Sequence, residues 1–118
     1  MLALLIIVTV LGAAIGTGFC VAGIFFPGFI VKDGEGTPTA RVFAYYGAAR
    51  SVALLLVILL AAFRADANAL VWLGLLSGII QLIDAAVGTQ TGKQYAVWGP
   101  LGVGAVQLLV VLIAAWLL

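Results

Sequence analysis

Four long apolar runs, separated by short polar breaks, constrain this chain more than any other feature of its sequence. The runs span residues 2–26, 40–63, 68–87 and 96–118. Each is close to the ~20 residues that an α-helix needs to cross the ~30 Å hydrocarbon core of a bilayer. Because the breaks are short, successive helices are expected to be antiparallel neighbours. The sequence therefore predicts an all-α, four-helix transmembrane bundle with up-down-up-down order, forming a single membrane domain over residues 1–118.

The composition leaves too few polar side chains to cover a water-soluble surface. Hydrophobic residues make up 66% of the 118 residues and charged residues only 8%, whereas soluble domains are about half apolar and about a quarter charged. The net charge is +1, so nucleic acid is not expected as a partner. With no histidine and one cysteine, an internal disulfide, a zinc site and a histidine-held haem are not expected either. The lipid bilayer is the predicted partner, and no metal or cofactor is predicted.

The first run and the basic residues determine the expected topology. No Lys or Arg precedes the first run, which is also longer than a signal-peptide core, so a retained helix is predicted over a cleaved signal peptide. Lys32, Arg41 and Lys93 lie on the side of the first and third breaks, whereas Arg64 and the amino terminus lie on the other side. The positive-inside rule then places loops one and three in the cytoplasm and both termini outside. The expected location, by default, is a prokaryotic plasma membrane.

Small residues recur at four-residue intervals in three of the runs, and this spacing lets helix backbones approach closely in lipid. They are Gly12 and Gly16 in the first run, Gly47 and Ser51 in the second, and Gly74 and Gly78 in the third. Two interpretations are open. The small-residue faces either seal the helices of one chain together or form the seam of a homo-oligomer.

Two ionisable residues fall well inside the apolar runs, Arg50 in the second and Asp84 in the third. An unpaired charge in hydrocarbon is costly, so such residues usually pair and face the bundle interior. Measured from the side of loops one and three, Arg50 lies roughly 15 Å along its helix and Asp84 about 5 Å along its own, at ~1.5 Å per residue. Because helical side chains lean toward their own N-terminus, the two side chains converge. We predict an ion pair or a water-bridged pair between Arg50 and Asp84.

Further polar side chains are expected at similar depth, in the same half of the bundle as this pair, and those of the second and third helices share a helix face with Arg50 or Asp84. They are Tyr46 in the second helix, Ser77 and Gln81 in the third, Thr17 in the first and Gln107 in the fourth. Two interpretations of the cluster are open. It is either a structural network that specifies the packing or the lining of a one-sided polar pocket that handles a ligand.

In an enzyme, this cluster would perform acid/base chemistry on a lipophilic small molecule, as an isomerase, cyclase or hydrolase. The predicted catalytic residues are Asp84, which accepts or delivers a proton, its partner Arg50, and Tyr46, which donates to a substrate oxygen. Cys20 is expected to pack rather than act as a nucleophile, because the chain has no histidine base. The predicted ligand-binding residues are Gln81, Gln107, Thr17 and Ser77.

Three short motifs carry a resemblance to a known family: residues 45–54, 64–66 and 81–85. Together they resemble the small four-helix membrane proteins of the DoxX-like group, especially its uncharacterised branch, over residues 41–88. Gly47, Arg50 and Asp84 match the pattern of that group.

Two features depart from the DoxX-like pattern. Ser51 stands where an acidic residue is usual, and residues 98–100 stand where a histidine is often found. The resemblance implies the four-helix fold. Because some relatives are linked to thiosulfate or quinone redox chemistry, it also supports an alternative function, that of an accessory or structural subunit of a membrane complex.

A small transporter is a further alternative. The chain is similar to the small multidrug-resistance exporters in size, in helix number and in the sequence of residues 95–98. Those exporters carry a membrane-embedded Glu in helix one, whereas residues 2–26 here contain no carboxylate. A path through both halves is not expected, because the half near Arg64 is lined by Leu, Ile, Val and Ala.

Overall fold

The computed structural model describes residues 1–25, 38–89 and 94–118, and this part of the chain forms four α-helices. They are α1 (Leu2–Phe25), α2 (Pro38–Phe63), α3 (Ala67–Gly88) and α4 (Tyr95–Leu117). Each helix is long and apolar enough to cross a membrane. The predicted all-α, four-helix membrane fold is therefore confirmed, and the predicted helix ends differ from the observed ones by at most two residues. The up-down-up-down order across the membrane stays a prediction.

Helix α1 holds the bundle together. It packs extensively against α2 and also contacts α3 and α4, while α3 and α4 form the largest interface between any two helices. By contrast, α2 makes only a small contact with α3 and barely touches α4. The second helix is therefore attached to the rest of the described bundle mainly through α1, and its boundary with α3 is loosely packed.

Apolar side chains close the end of the bundle at which α2 turns into α3. Leu5 of α1 and Leu70 of α3 are fully buried there. Close packing of such side chains stabilises helix association in lipid, where no hydrophobic driving force acts between helices. The other members of this buried cluster are Ala61, Val110, Val111 and Ala114. The cluster is wholly apolar, as the sequence of this half predicts.

A three-residue turn at residues 64–66 joins α2 to α3. The N–H groups of Ala65 and Asp66 each donate to a carbonyl in the last turn of α2 at 3.0 Å, which is the hydrogen-bond pattern of a Schellman C-cap. The Asp66 carboxylate then accepts from the Ala69 N–H at 3.1 Å and caps the first turn of α3. The backbone N–H of Asp66 thus closes the end of α2, and its carboxylate caps the start of α3.

Ala65 occupies the left-handed region of backbone space, with φ at 50°. The left-handed conformation costs an L-residue with a Cβ roughly 1 kcal/mol of conformational free energy, whereas glycine adopts it without this cost. We expect Ala65→Gly to raise the free energy of unfolding in detergent by about 0.5–1 kcal/mol. As a control, Ala53→Gly on the exposed face of α2 should lower it by about 1 kcal/mol, because that residue is helical. An Ala65→Gly chain less stable than the wild type would contradict the strain at this turn.

Candidate functional site

The charged pair predicted from the sequence lies at the boundary between α2 and α3. Arg50 Nη2 is 3.8 Å from Asp84 Oδ1, so the two side chains meet. They nevertheless remain 59% and 41% exposed, which puts the pair on the outer surface of the bundle and not in its interior as expected. The physical reason is the packing of α2, which lies against α1 and leaves the α2–α3 boundary open.

The pair lies toward the end of the bundle that carries loops one and three. Asp84 is about 6 Å from the C-terminal end of α3, and Arg50 is about 12 Å beyond Val42, where the apolar span of α2 begins, at ~1.5 Å per residue. Each side chain leans toward the N-terminus of its own helix, so the guanidinium and the carboxylate approach the same depth. Both side chains are exposed at this end of the described bundle, so polar groups outside the protein can reach them.

At this separation the two charged groups make no direct hydrogen bond to each other. A distance of 3.8 Å exceeds the roughly 2.7–2.9 Å of a charge-assisted hydrogen bond, so this is an electrostatic contact and not a bidentate fork. A guanidinium offers five N–H donors and a carboxylate about four acceptor positions. The pair can consequently bind a third polar group without losing hydrogen bonds between its own members.

Tyr46, the third predicted catalytic residue, lies one turn before Arg50 on the same side of α2. Its side chain is 69% exposed, and an aromatic ring with a polar tip is typical of the membrane interface. The structure thus places Tyr46, Arg50 and Asp84 on the outside of the bundle near one end. Their catalytic roles stay predictions.

Three of the four predicted ligand-binding residues lie elsewhere, in the interior between α1, α3 and α4. Gln107 is almost fully buried, and its Nε2 donates to Thr9 Oγ1 at 2.9 Å. Gln81 is also buried, and its Nε2 makes a long hydrogen bond of 3.5 Å to the carbonyl oxygen of Gly12. Ser77 is buried on the same side of α3. The two glutamines therefore connect α3 and α4 to α1, apart from the exposed pair.

Glycines provide the space for these buried amides. A Cβ added at Gly74 would lie only 2.7 Å from Gln107 Nε2, and one at Gly16 would lie 3.0 Å from Gln81 Nε2. Gly12 and Gly78 are likewise buried against side chains of α4. The small-residue faces of α1 and α3 are thus turned toward neighbouring helices of the same chain. This favours the interpretation that they seal the monomer, and a homo-oligomer seam stays a prediction.

The fourth predicted ligand-binding residue, Thr17, lies at the interface between α1 and α2. Its hydroxyl donates to the Ala13 carbonyl oxygen at 2.8 Å and is 3.2 Å from that of Ser51. Cys20 Sγ, one turn further along α1, is 3.3 Å from Ser51 Oγ. These contacts hold α2 against α1, so the serine that departs from the DoxX-like pattern has a structural contact here.

Thr9 and Ser51 are not among the predicted site residues, although each contacts one of them. A sequence signal exists for Thr9, which shares a stripe with Gly12 and Gly16 at spacings of three and four residues. A hydroxyl beside two glycines marks a helix face that can accept a polar side chain from another helix. For Ser51 the signal is its four-residue spacing from Gly47, which predicts a face of close helix contact.

No protein-family model, curated protein or solved structure matches this chain. The resemblance to the DoxX-like group therefore rests on its sequence motifs alone and stays a prediction.

The predicted orientation depends on Lys32 and Lys93, which lie outside the described residues, and on the Arg41 side chain, which does too. Fold and apolar spans together define the class: the chain is an integral membrane protein with four helices that can span a bilayer.

Proposed function

We propose that this chain binds an amphiphilic, lipophilic molecule from the bilayer at the α2–α3 boundary, with Arg50 and Asp84 contacting its polar group. The observation that carries the proposal is the exposed ion pair, in which both charges face outward from an apolar helix bundle. Charges beside hydrocarbon are costly. A polar group that forms charge-assisted hydrogen bonds with both reduces that cost.

Apolar side chains next to the pair suit the remainder of such a molecule. Val57, two turns from Arg50 on the same side of α2, is half exposed. Ile80, one turn from Asp84 on α3, is partly exposed. An acyl or isoprenoid chain lying along this boundary would contact both helices while its polar end reaches the charges.

If the protein is an enzyme, it converts the molecule that it binds at this site. Asp84 would accept or deliver a proton and the exposed Tyr46 hydroxyl would donate one to a substrate oxygen, in an isomerase, cyclase or hydrolase type of reaction. Gln81 and Gln107 are engaged with α1 in the interior. These two glutamines are therefore not part of the proposed outer site.

The two alternative functions, transporter and accessory subunit, require different structural features of the protein. A transporter needs a path through both halves, and the apolar cluster around Leu5 and Leu70 closes the half near the α2–α3 turn. An accessory subunit needs a partner chain, which would have to cover the exposed pair. The experiment below separates this alternative from lipid binding.

Photo-crosslinking in nanodiscs tests the proposal, using a phospholipid with a diazirine in its acyl chain and peptide mapping of the labelled sites. We expect labelling of α2 and α3 around residues 50–57 and 76–84 to exceed labelling of the α4 surface. The double variant Arg50→Gln/Asp84→Asn should lose that excess about tenfold, since a charge-assisted hydrogen bond contributes roughly 1.5–3 kcal/mol.

Arg64→Gln is the matched control for this experiment. It removes the same charge from an exposed residue at the opposite end of α2 and should leave the labelling unchanged. Even labelling of all lipid-facing surfaces in the wild type would overturn the proposal. Protection of the α2–α3 boundary from label, together with a co-purifying protein, would instead support the accessory-subunit alternative.

A further inference from the structure

The two charges at the α2–α3 boundary are opposite in sign and lie side by side at 3.8 Å, both open to the outside. A simple anion attracted by Arg50 would be repelled by Asp84, and a simple cation would meet the reverse conflict. A molecule whose own positive and negative groups are neighbours satisfies both side chains at once. The arrangement therefore selects for a zwitterion.

We infer that the polar group bound here is a phosphoethanolamine headgroup of a bilayer lipid, with its phosphate on Arg50 and its primary ammonium on Asp84. The inference rests on the proposed function and specifies its ligand. A guanidinium is suited to phosphate, because its N–H donors match the spacing of two phosphate oxygens. A carboxylate is suited to a primary ammonium, because it accepts the N–H donors that this group presents.

The same chemistry discriminates between zwitterionic lipids. The quaternary ammonium of a phosphocholine headgroup carries no N–H, so it cannot donate a hydrogen bond to Asp84. A phosphoglycerol headgroup has the phosphate but no positive group, and it leaves the carboxylate facing an anion. The site should therefore bind phosphatidylethanolamine more tightly than phosphatidylcholine or phosphatidylglycerol.

The depth of the pair agrees with a headgroup as the occupant. Asp84 lies about 6 Å from the end of α3, at ~1.5 Å per residue. The Arg50 stem is long enough to raise the guanidinium toward the same level. Tyr45 and Tyr46, both more than half exposed on the preceding turn of α2, are side chains typical of that layer. A lipid bound with its headgroup here keeps its acyl chains along Val57 and Ile80.

Native mass spectrometry of the full chain tests the inference, with palmitoyl-oleoyl phosphatidylethanolamine, phosphatidylcholine and phosphatidylglycerol added at equal concentrations. We expect the wild type and the Arg64→Gln control to bind the ethanolamine lipid about tenfold more tightly than the choline lipid. Asp84→Asn should reduce this preference to parity and raise binding of the glycerol lipid. Asp84→Glu should retain the preference, and Arg50→Gln should weaken binding of all three lipids.

The outcomes separate this inference from the proposed function on which it rests. Equal binding of ethanolamine and choline lipids by the wild type, with photo-labelling still concentrated at the α2–α3 boundary, overturns the headgroup assignment and leaves the amphiphile site standing. Loss of both signals overturns both. Displacement of the lipid by an equal concentration of water-soluble phosphoethanolamine overturns the lipid as the source. A wild-type dimer that Asp84→Asn dissociates, without any headgroup preference, overturns the inference in favour of a second copy covering the pair.

Discussion

Gly104→Leu is expected to lower the free energy of unfolding by about 3 kcal/mol, the largest effect of any substitution considered for this bundle. A Cβ at Gly104 would lie 3.0 Å from Gln81 Cβ and 3.1 Å from the carbonyl oxygen of Gly78. A backbone carbonyl cannot rotate away as the end of a flexible side chain can. Helices α3 and α4, which share the largest interface of the bundle, must therefore move apart to admit the new side chain.

Gly102→Leu is the matched control, because it makes the same change on the same helix. A Cβ at Gly102 would meet no side chain and no neighbouring helix of the described residues within 4 Å, and the residue is exposed. Leucine is the better helix former by ~0.8 kcal/mol, so this variant should be neutral or slightly stabilised. Unfolding in mixed detergent micelles, followed by tryptophan fluorescence, measures both. Equal stability of the two variants would show that α3 and α4 are not in close contact at Gly104.

Thr9→Val is expected to lower the free energy of unfolding by about 1–2 kcal/mol, although it changes the side-chain volume little. The Thr9 hydroxyl accepts the only hydrogen bond found for the Gln107 amide among the described residues, and Gln107 Oε1 has no partner there. The substitution would leave both halves of a buried amide without a hydrogen bond. Leaving a buried polar group unpaired costs more than losing the bond alone.

Gln107→Leu should be the milder of the two changes at this contact. It removes both amide groups, including the unpaired oxygen, and keeps a side chain of similar size. The Thr9 hydroxyl can then bond to a carbonyl one turn back on its own helix. A double-mutant cycle with Thr9→Val and Gln107→Leu should give a coupling energy of about 0.6–1.7 kcal/mol. A Thr9→Val variant as stable as the wild type, with no coupling, would contradict the hydrogen bond between α1 and α4.

The residues behind these two predictions explain how α1, α3 and α4 form one unit. Gly104 allows α4 to approach α3, and Gly74 and Gly12 leave room for the Gln107 amide that reaches Thr9. The second helix is held differently, by Thr17 and Cys20 against Ser51. This difference in attachment is what leaves the α2–α3 boundary open for the proposed ligand.

The helices themselves follow from the sequence alone. In hydrocarbon every backbone N–H and C=O must be paired within the protein. An apolar run of ~20 residues therefore forms an α-helix, which pairs these groups within the same segment. The α2–α3 turn is equally local, because Asp66 carries its capping oxygen in the residue where the helix begins. Helix rise and side-chain direction also predict that Arg50 and Asp84 reach a similar depth, and the structure shows the two side chains in contact.

Only the tertiary structure decided which way each helix faces. All four helices are apolar on nearly every side, so no polar face marks the outside as it does in a soluble bundle. The sequence therefore could not show that Arg50 and Asp84 face outward while Gln81 and Gln107 face inward. Close packing determines these orientations. Helix α1 packs with Gly12 and Gly16 against the two glutamines, and with the turn from Thr17 to Cys20 against α2. Steric fit between small and large side chains is a property of helix pairs, and it appears only once the helices are assembled.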